Sequence, residues 1–518
     1  MPAEATPTRQ IVIVGGGTAG WMAAAALSRF LPPGCTVTLV ESDEIGTIGV
    51  GESTIPQMTV FNQGLGIDEA EFLRATSGTC KLGIEFVDWL RPGHRYFHGF
   101  GSVGRDVGLV PFHHFWLRSR AAGGHSEMAY YSPTTLAASE GRFGKPGAAD
   151  GAARLGFGYA YHIDAIAYAA FLRRFAERGG VRRVEGRVTG VDRDPASGAI
   201  TRLLLADGRA VEGDFYFDCS GFAALLIGRT LGVGFEDWTH WLPCDRAWAV
   251  PSANSGEPVP FTRSTARRAG WQWRIPLQHR AGNGIVYAST HMGDDEAREV
   301  LLANIADELL AEPRPLRFRT GRREKMWDAN VIALGLAGGF LEPLEATSIY
   351  LVQSGIARAL RYFPGATVDA ADRAAFNAET AFEYAAIRDF LILHYHANER
   401  QGEAFWDGCR TMAIPESLAR KIALFRANGR IFRENLELFD VPSWLQVMWG
   451  QGIRPAGYNP LADRVSAADL AGMLDETARA TRRLVDRLPS LNAFLAASGA
   501  AIEPVAQPTL APAVQAAR

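Results

Sequence analysis

The first apolar positions of the chain fall into two runs of different kind. Ile11-Val12-Ile13-Val14 is a continuous β-branched run ending in glycine, the pattern of a strand buried on both faces. From Thr18 to Phe30 the pattern becomes an alanine-rich helix, which Pro32-Pro33-Gly34 stops. Thr36 to Glu41 then alternates Val and Leu with Thr and predicts a second strand. Strand, helix and strand make a βαβ unit, the start of a parallel sheet.

Further along, Gly144 to Ala152 reads as a Gly/Ala/Pro surface loop, and Tyr161 to Glu177 as a helix that stops at Gly179-Gly180. Short strands fill Val181 to Phe217, with Asp207-Gly208 as a hairpin turn. A helix is expected over 297–311 and a buried strand over 330–334. Long helical periodicities occupy 346–363, 371–397 and 466–495, and the Ala/Pro-rich residues 503–518 predict a disordered tail. There is no internal repeat.

Composition narrows the function classes. The chain has 518 residues and a net charge of -3, which gives no basis for a nucleic-acid or anionic-membrane partner. It shows neither a basic-then-apolar leader nor an apolar stretch long enough for a membrane span. Five scattered cysteines and the absence of any His/Asp/Glu cluster at metal spacing argue against a disulfide framework or a metal site. The expectation is a cytoplasmic enzyme. His113-His114 are adjacent and His394/His396 are two apart, so neither pair shares a helix face and neither is expected to build a site.

Between the first strand and helix lies G-x-G-x-x-G, formed by Gly15, Gly17 and Gly20. The first glycine permits the turn, the second lets backbone approach a pyrophosphate, and the third lets helix and strand pack closely. Thr18 and Ala19 lie at the phosphate-facing helix start. Glu41 closes the second strand, where an acid bonds a ribose hydroxyl. FAD is favoured over NAD because two more strand-ending turns supply backbone N–H groups, as flavoproteins require. They are Asp218-Cys219-Ser220-Gly221-Phe222 and Gly335-Leu336-Ala337-Gly338-Gly339-Phe340. Asp218, Gly338 and Phe340 are accordingly assigned to the cofactor.

Four further segments carry a family likeness. They are Gly49-Val50-Gly51-Glu52-Ser53-Thr54-Ile55-Pro56, Lys81 with the residues after it, Trp271-Gln272-Trp273-Arg274-Ile275-Pro276, and Glu342-Pro343-Leu344-Glu345-Ala346-Thr347-Ser348. Together they resemble the flavin-dependent tryptophan halogenases, with their W-x-W-x-I-P and P-L-E-S-T-G segments, over about residues 10 to 460. The resemblance implies halogenation of an electron-rich aromatic of indole type, by hypohalous acid made from halide, oxygen and FAD supplied as FADH2.

It also implies roles. Gly51, Glu52 and Ser53 join the cofactor set, and Thr347 and Ser348 at a helix start hold chloride or bromide. Lys81 handles the hypohalous acid, and Glu345 stabilises the cationic ring and takes its proton. Trp271 and Trp273, on one face of a strand, screen flavin from substrate, while His98 and Phe100 contact the substrate. The implied fold is an α/β flavoprotein: a Rossmann-like FAD-binding domain, a β-rich insertion and a helical C-terminal part on the substrate side. The expected bounds are 8–230 with 320–365, then 240–315, then 366–500. No second nucleotide fingerprint appears, so a separate NAD(P)H-dependent flavin reductase is the expected partner.

The chain departs from the pattern at two places. Ala346 and Ser348 replace the usual Ser and Gly, and Phe439 to Gly452 lacks the paired tyrosines and acid that clamp free tryptophan. Indole or a larger indole or phenol derivative is therefore the expected substrate. A flavin hydroxylase and a non-catalytic FAD-binding protein are the competing readings, since fold alone never fixes function.

Overall fold

The computed structural model describes residues 9–44, 51–145, 156–365 and 367–502. Its organising element is a six-stranded sheet in the order Trp327–Asp328, Val331–Ala333, Phe215–Asp218, Arg9–Val14, Cys35–Glu41, Arg182–Glu185. Ile13 lies opposite Phe217 on one side and Leu39 on the other, both in parallel register. The β-branched run is thus buried as predicted. The Thr18–Phe30 helix packs against Ala165–Arg178 and Thr347–Arg361, and its alanines 23–26 let the axes approach closely.

A seven-stranded sheet runs Arg314–Arg317, Arg246–Ser252, Ala281–Tyr287, Gly270–Pro276, Thr262–Arg267, Gly83–Val87, Arg95–Gly99. The β-rich segment expected over 240–315 therefore recruits two strands from 83–99, with Thr262 parallel to Ile84. A third, small sheet pairs Ala160–Asp164 with Gly51–Ser53 and Thr79–Lys81. A single residue, Leu82, separates Lys81 from the large sheet.

Three helix predictions are corrected. Tyr161 to Ile163 is strand, because extended segments flank it on both sides; the helix starts at Ala165, capped by the Asp164 carboxylate, which accepts from Ile166 and Ala167 N–H. The helix expected over 297–311 spans Asp294–Ala303, its acidic first turn suiting the helix dipole. The 466–495 stretch splits into Ala467–Asp486 and Leu491–Ala497, with Pro489 between and Ser466 and Ser490 as caps. The helices Thr347–Arg361 and Ala370–His396 fall within two residues of expectation. The 503–518 tail, most of the 144–152 loop, and Gly49 and Val50 lie outside the described residues. Among the described residues no helix is long and apolar enough to cross a membrane.

Candidate active site

The glycine loop divides its labour by geometry. Gly15 has φ +110°, and a Cβ there would fall 2.3 Å from the Cys219 carbonyl oxygen. A Cβ on Gly20 would fall 1.8 Å from the Gly15 oxygen, whereas one on Gly17 would meet nothing within 4 Å. Gly15 and Gly20 therefore serve the fold, and Gly17 borders open space at the N-terminus of the Thr18–Phe30 helix. That helix has no side-chain cap and no acid in its first turn, so the N–H groups of its opening turn, with Thr18 and Ala19, remain an anion cradle. Such a cradle fits the pyrophosphate of FAD.

Glu41 stands beside the loop, close enough that a Cβ on Gly16 would overlap its carboxylate, and Arg183 donates to it. Gly51 and Glu52 lie in the small sheet opposite Asp164 and Ile163, and Ser53 Oγ is 2.9 Å from Thr262 Oγ1. The glycine turn at Gly335 reaches the first helix, a Cβ there coming within 2.9 Å of Ala19 Cβ. Gly338 donates to the Gly335 carbonyl, and the Phe340 ring meets Phe222 and Phe318.

Asp218 is placed at the same strand end, but its carboxylate is spent internally. Oδ2 accepts from Leu226 and Ile227 N–H and Oδ1 from Ser220 N–H and Oγ. The acid shapes the turn and does not project into the cradle.

Lys81 and Glu345 are both fully buried. The Lys81 ammonium donates to the Thr54 carbonyl at 3.0 Å and lies 5.0 Å from the centre of the Phe100 ring. Burial pulls this amine down to about 7, and the Glu345 charge opposes the fall. Both Glu345 oxygens accept from His98 Nδ1, at 3.0 and 2.9 Å.

A second histidine completes the clamp: His394 Nε2 is 2.9 Å from Glu345 Oε1. This overturns the expectation that His394 builds no site; helix-face spacing is blind to a partner on another element. Burial raises the Glu345 carboxyl, but His98 and His394 outweigh it and hold it at about 2. Glu345 is therefore a carboxylate at neutral pH.

The Thr347–Arg361 helix begins directly after Glu345. Its Ncap, Ala346, is left-handed at φ +58°, and no side chain caps the helix. Thr347 is wholly buried and its Oγ1 has no hydrogen-bond partner. A free hydroxyl and free N–H groups at a helix start form a donor set suited to a halide, and Ser348 follows on the first turn.

Trp271 and Trp273 lie on one face of the Gly270–Pro276 strand with ring centres 5.9 Å apart. Trp273 lies over Gly284, where a Cβ would fall 2.1 Å from its ring. Trp271 Nε1 donates to Glu342.

The sequence reading missed the wall beside His98. Phe390 and Phe439 stack with centres 3.8 Å apart, Trp444 meets Phe390 edge-on, and both phenylalanines lie near the His98 ring. Gln446, on the Val441–Gly450 helix, accepts from Gly99 N–H and donates to Gly99 O, each at 3.0 Å. That side chain clamps the Val441–Gly450 helix to the strand bearing His98. The one sequence signal for His394 was its place in Phe390-Leu391-Ile392-Leu393-His394-Tyr395, a polar ring inside an apolar run.

The family model for tryptophan halogenase matches residues 10–467. The chain belongs to the tryptophan halogenase family. A relative from Streptomyces toxytricini, tryptophan 6-halogenase SttH, is 34% identical over 95% of this chain and 98% of its own. Among solved structures, the flavin-dependent halogenase Xcc4156 from Xanthomonas campestris is 50% identical with TM-score 0.92, covering 95% of this chain and 98% of that one. BrvH, a flavin-dependent halogenase from Brevundimonas sp. BAL3, is 46% identical with TM-score 0.91, over 95% and 99%. This tryptophan halogenase family member is thus a flavin-dependent halogenase, an oxidoreductase acting on aromatics with FAD and a halide.

Proposed function

We propose that the enzyme chlorinates or brominates an uncharged, electron-rich arene of indole type, with Lys81 handling hypohalous acid and Glu345 acting as base. The observation that carries this reading is the pairing of a buried amine at about 7 with a buried carboxylate at about 2, in one site. Reduced FAD and oxygen supply the oxidising equivalent that converts halide to hypohalous acid.

The remaining work falls to the chain. Thr347, Ser348 and the helix start bind the halide, and Trp271 and Trp273 keep the flavin and substrate sides apart. The Lys81 ammonium hydrogen-bonds the hypohalous oxygen. As a ring carbon forms its bond to halogen, the O–X bond breaks and the departing hydroxide takes a proton from Lys81, giving water. The cationic ring then loses its proton to Glu345. A carboxyl held at about 2 suffices because a ring cation is a far stronger acid.

The segment that clamps free tryptophan in relatives is here apolar or neutral at Phe439, Trp444 and Gln446, which supports an arene without an amino-acid charge pair. A separate NAD(P)H-dependent flavin reductase supplies FADH2, consistent with two-component flavin-dependent halogenases generally.

The test is turnover with FAD, a flavin reductase, NADH, oxygen, bromide and a panel of indole, tryptophan and phenols, read by mass spectrometry. A bromine isotope doublet, lost in Lys81→Ala, is the expected result. A product heavier by one oxygen would replace this reading with a hydroxylase, and peroxide alone across the panel with a non-catalytic flavoprotein.

A further inference from the structure

Glu342 opens the short turn that ends at Glu345, yet the chemistry above makes no use of it. Its carboxyl is fully buried. Oε2 accepts from Trp271 Nε1 at 3.1 Å and from the Tyr395 hydroxyl, while Oε1 has no partner. With its proton committed to Glu342, the Tyr395 oxygen is left to accept from Cys244 Sγ, 3.6 Å away. Trp89 closes the group, edge-on to Tyr395 at 5.4 Å and tilted against Trp271 at 6.3 Å.

The two acids of the turn are therefore held by neighbours on one helix: Glu342 by Tyr395 and Glu345 by His394. A buried indole N–H needs an acceptor, and this one finds it on the turn that carries the base. Burial also pushes the Glu342 carboxyl up to about 7, against the pull of its two donors.

We propose that Glu342 is a positioning residue: it fixes the Trp271 ring against the Tyr395 end of the Ala370–His396 helix and so ties the tryptophan screen to the His394–Glu345 pair. The functional part of this rests on the proposed roles of Trp271 and Glu345; the contact itself does not. Loss of the anchor leaves the indole free to tilt, which spoils alignment between oxidant and arene without removing either.

Two readouts test it. In full-length protein carrying 15N-indole tryptophan, the Trp271 resonance, assigned by its absence in Trp271→Phe, shifts with a midpoint near pH 7 in the wild type and stays flat in Glu342→Gln. In turnover, Glu342→Ala releases ~10-fold more peroxide per halogenated product, and Glu342→Gln, which keeps an acceptor, restores most of the coupling. Trp271→Phe and Tyr395→Phe each remove one donor and give smaller rises, non-additive with Glu342→Ala; they carry the test should Glu342→Ala fail to fold. A Trp271 resonance that titrates unchanged in Glu342→Gln overturns the proposal, as does wild-type coupling in folded Glu342→Ala or, where that variant does not fold, in both phenylalanine variants. A wild type that titrates at Trp271 but halogenates nothing leaves the anchor standing and removes the proposed function.

Discussion

His394 meets Glu345 with one ring nitrogen and the Phe390 carbonyl with the other: Nε2 is 2.9 Å from the carboxylate and Nδ1 donates to the carbonyl at 2.8 Å. The carbonyl fixes the ring's orientation, and with His98 the ring holds the Glu345 carboxyl down at about 2.

Removing that ring shifts the proposed base, Glu345. In His394→Phe the Glu345 carboxyl rises from about 2 toward the ordinary range, and the acid limb of kcat/KM moves to higher pH, with kcat lower by roughly 10- to 100-fold. Because the native carboxyl is depressed, the clamp stabilises the fold at neutral pH, and that stability is lost as pH falls toward about 2. The variant loses less on acidification. Identical acid limbs in the two proteins would contradict the clamp.

Lys81 gives a pH dependence of the other sign. Its native amine sits at about 7, so the ammonium that the proposed step uses declines above that pH and the basic limb of kcat falls there. From about 7 to the ordinary lysine range the unfolded chain binds the extra proton, so stability rises with pH across that window. Lys81→Met, lacking the titration, shows no such rise and loses halogenation by at least ~100-fold while still binding FAD. Thermal melts from pH 6 to 10 and product assays check both parts.

Thr347→Val trades function for stability. The variant removes a buried hydroxyl that has no partner, so the protein gains about 1 kcal/mol in denaturant unfolding. The same change takes away the proposed halide donor, and the KM for bromide is expected to rise by ~10-fold. A more stable protein with unchanged bromide KM would place the halide elsewhere.

The glycine loop separates cofactor from fold. Gly17→Ala adds a methyl where nothing lies within 4 Å, so melting is unchanged while calorimetry shows FAD affinity reduced by ~10-fold or more. Gly20→Ala drives its methyl into the Gly15 carbonyl and lowers the melting temperature instead. Equal losses of stability in both variants would refute the division.

What was legible in the chain was local. Ile11 to Glu41 could be read because strand, glycine turn and helix are coded by neighbours, and the structure keeps their bounds to within one residue. Lys81 and Glu345 were singled out by motif, but not the geometry that depresses both. His394 is invisible to helix-face spacing because its partner is on another element, and Gln446 gives no signal because its bonds run to the Gly99 backbone. Tyr161 to Ile163 read as helix because a strand between two other strands is specified by them and not by its own residues.

The Gln446 clasp has a consequence for how such an enzyme diversifies. Lys81 belongs to the small sheet of the N-terminal half, while the wall formed by Phe439 and Trp444 comes from a later segment that the Gln446 amide ties to Gly99, the Gln451 amide to the His394 carbonyl, and stacking to Phe390. The proposed oxidant-handling lysine and the aromatic wall beside His98 thus come from parts of the chain about 360 residues apart, so a substitution in one can leave the backbone of the other in place.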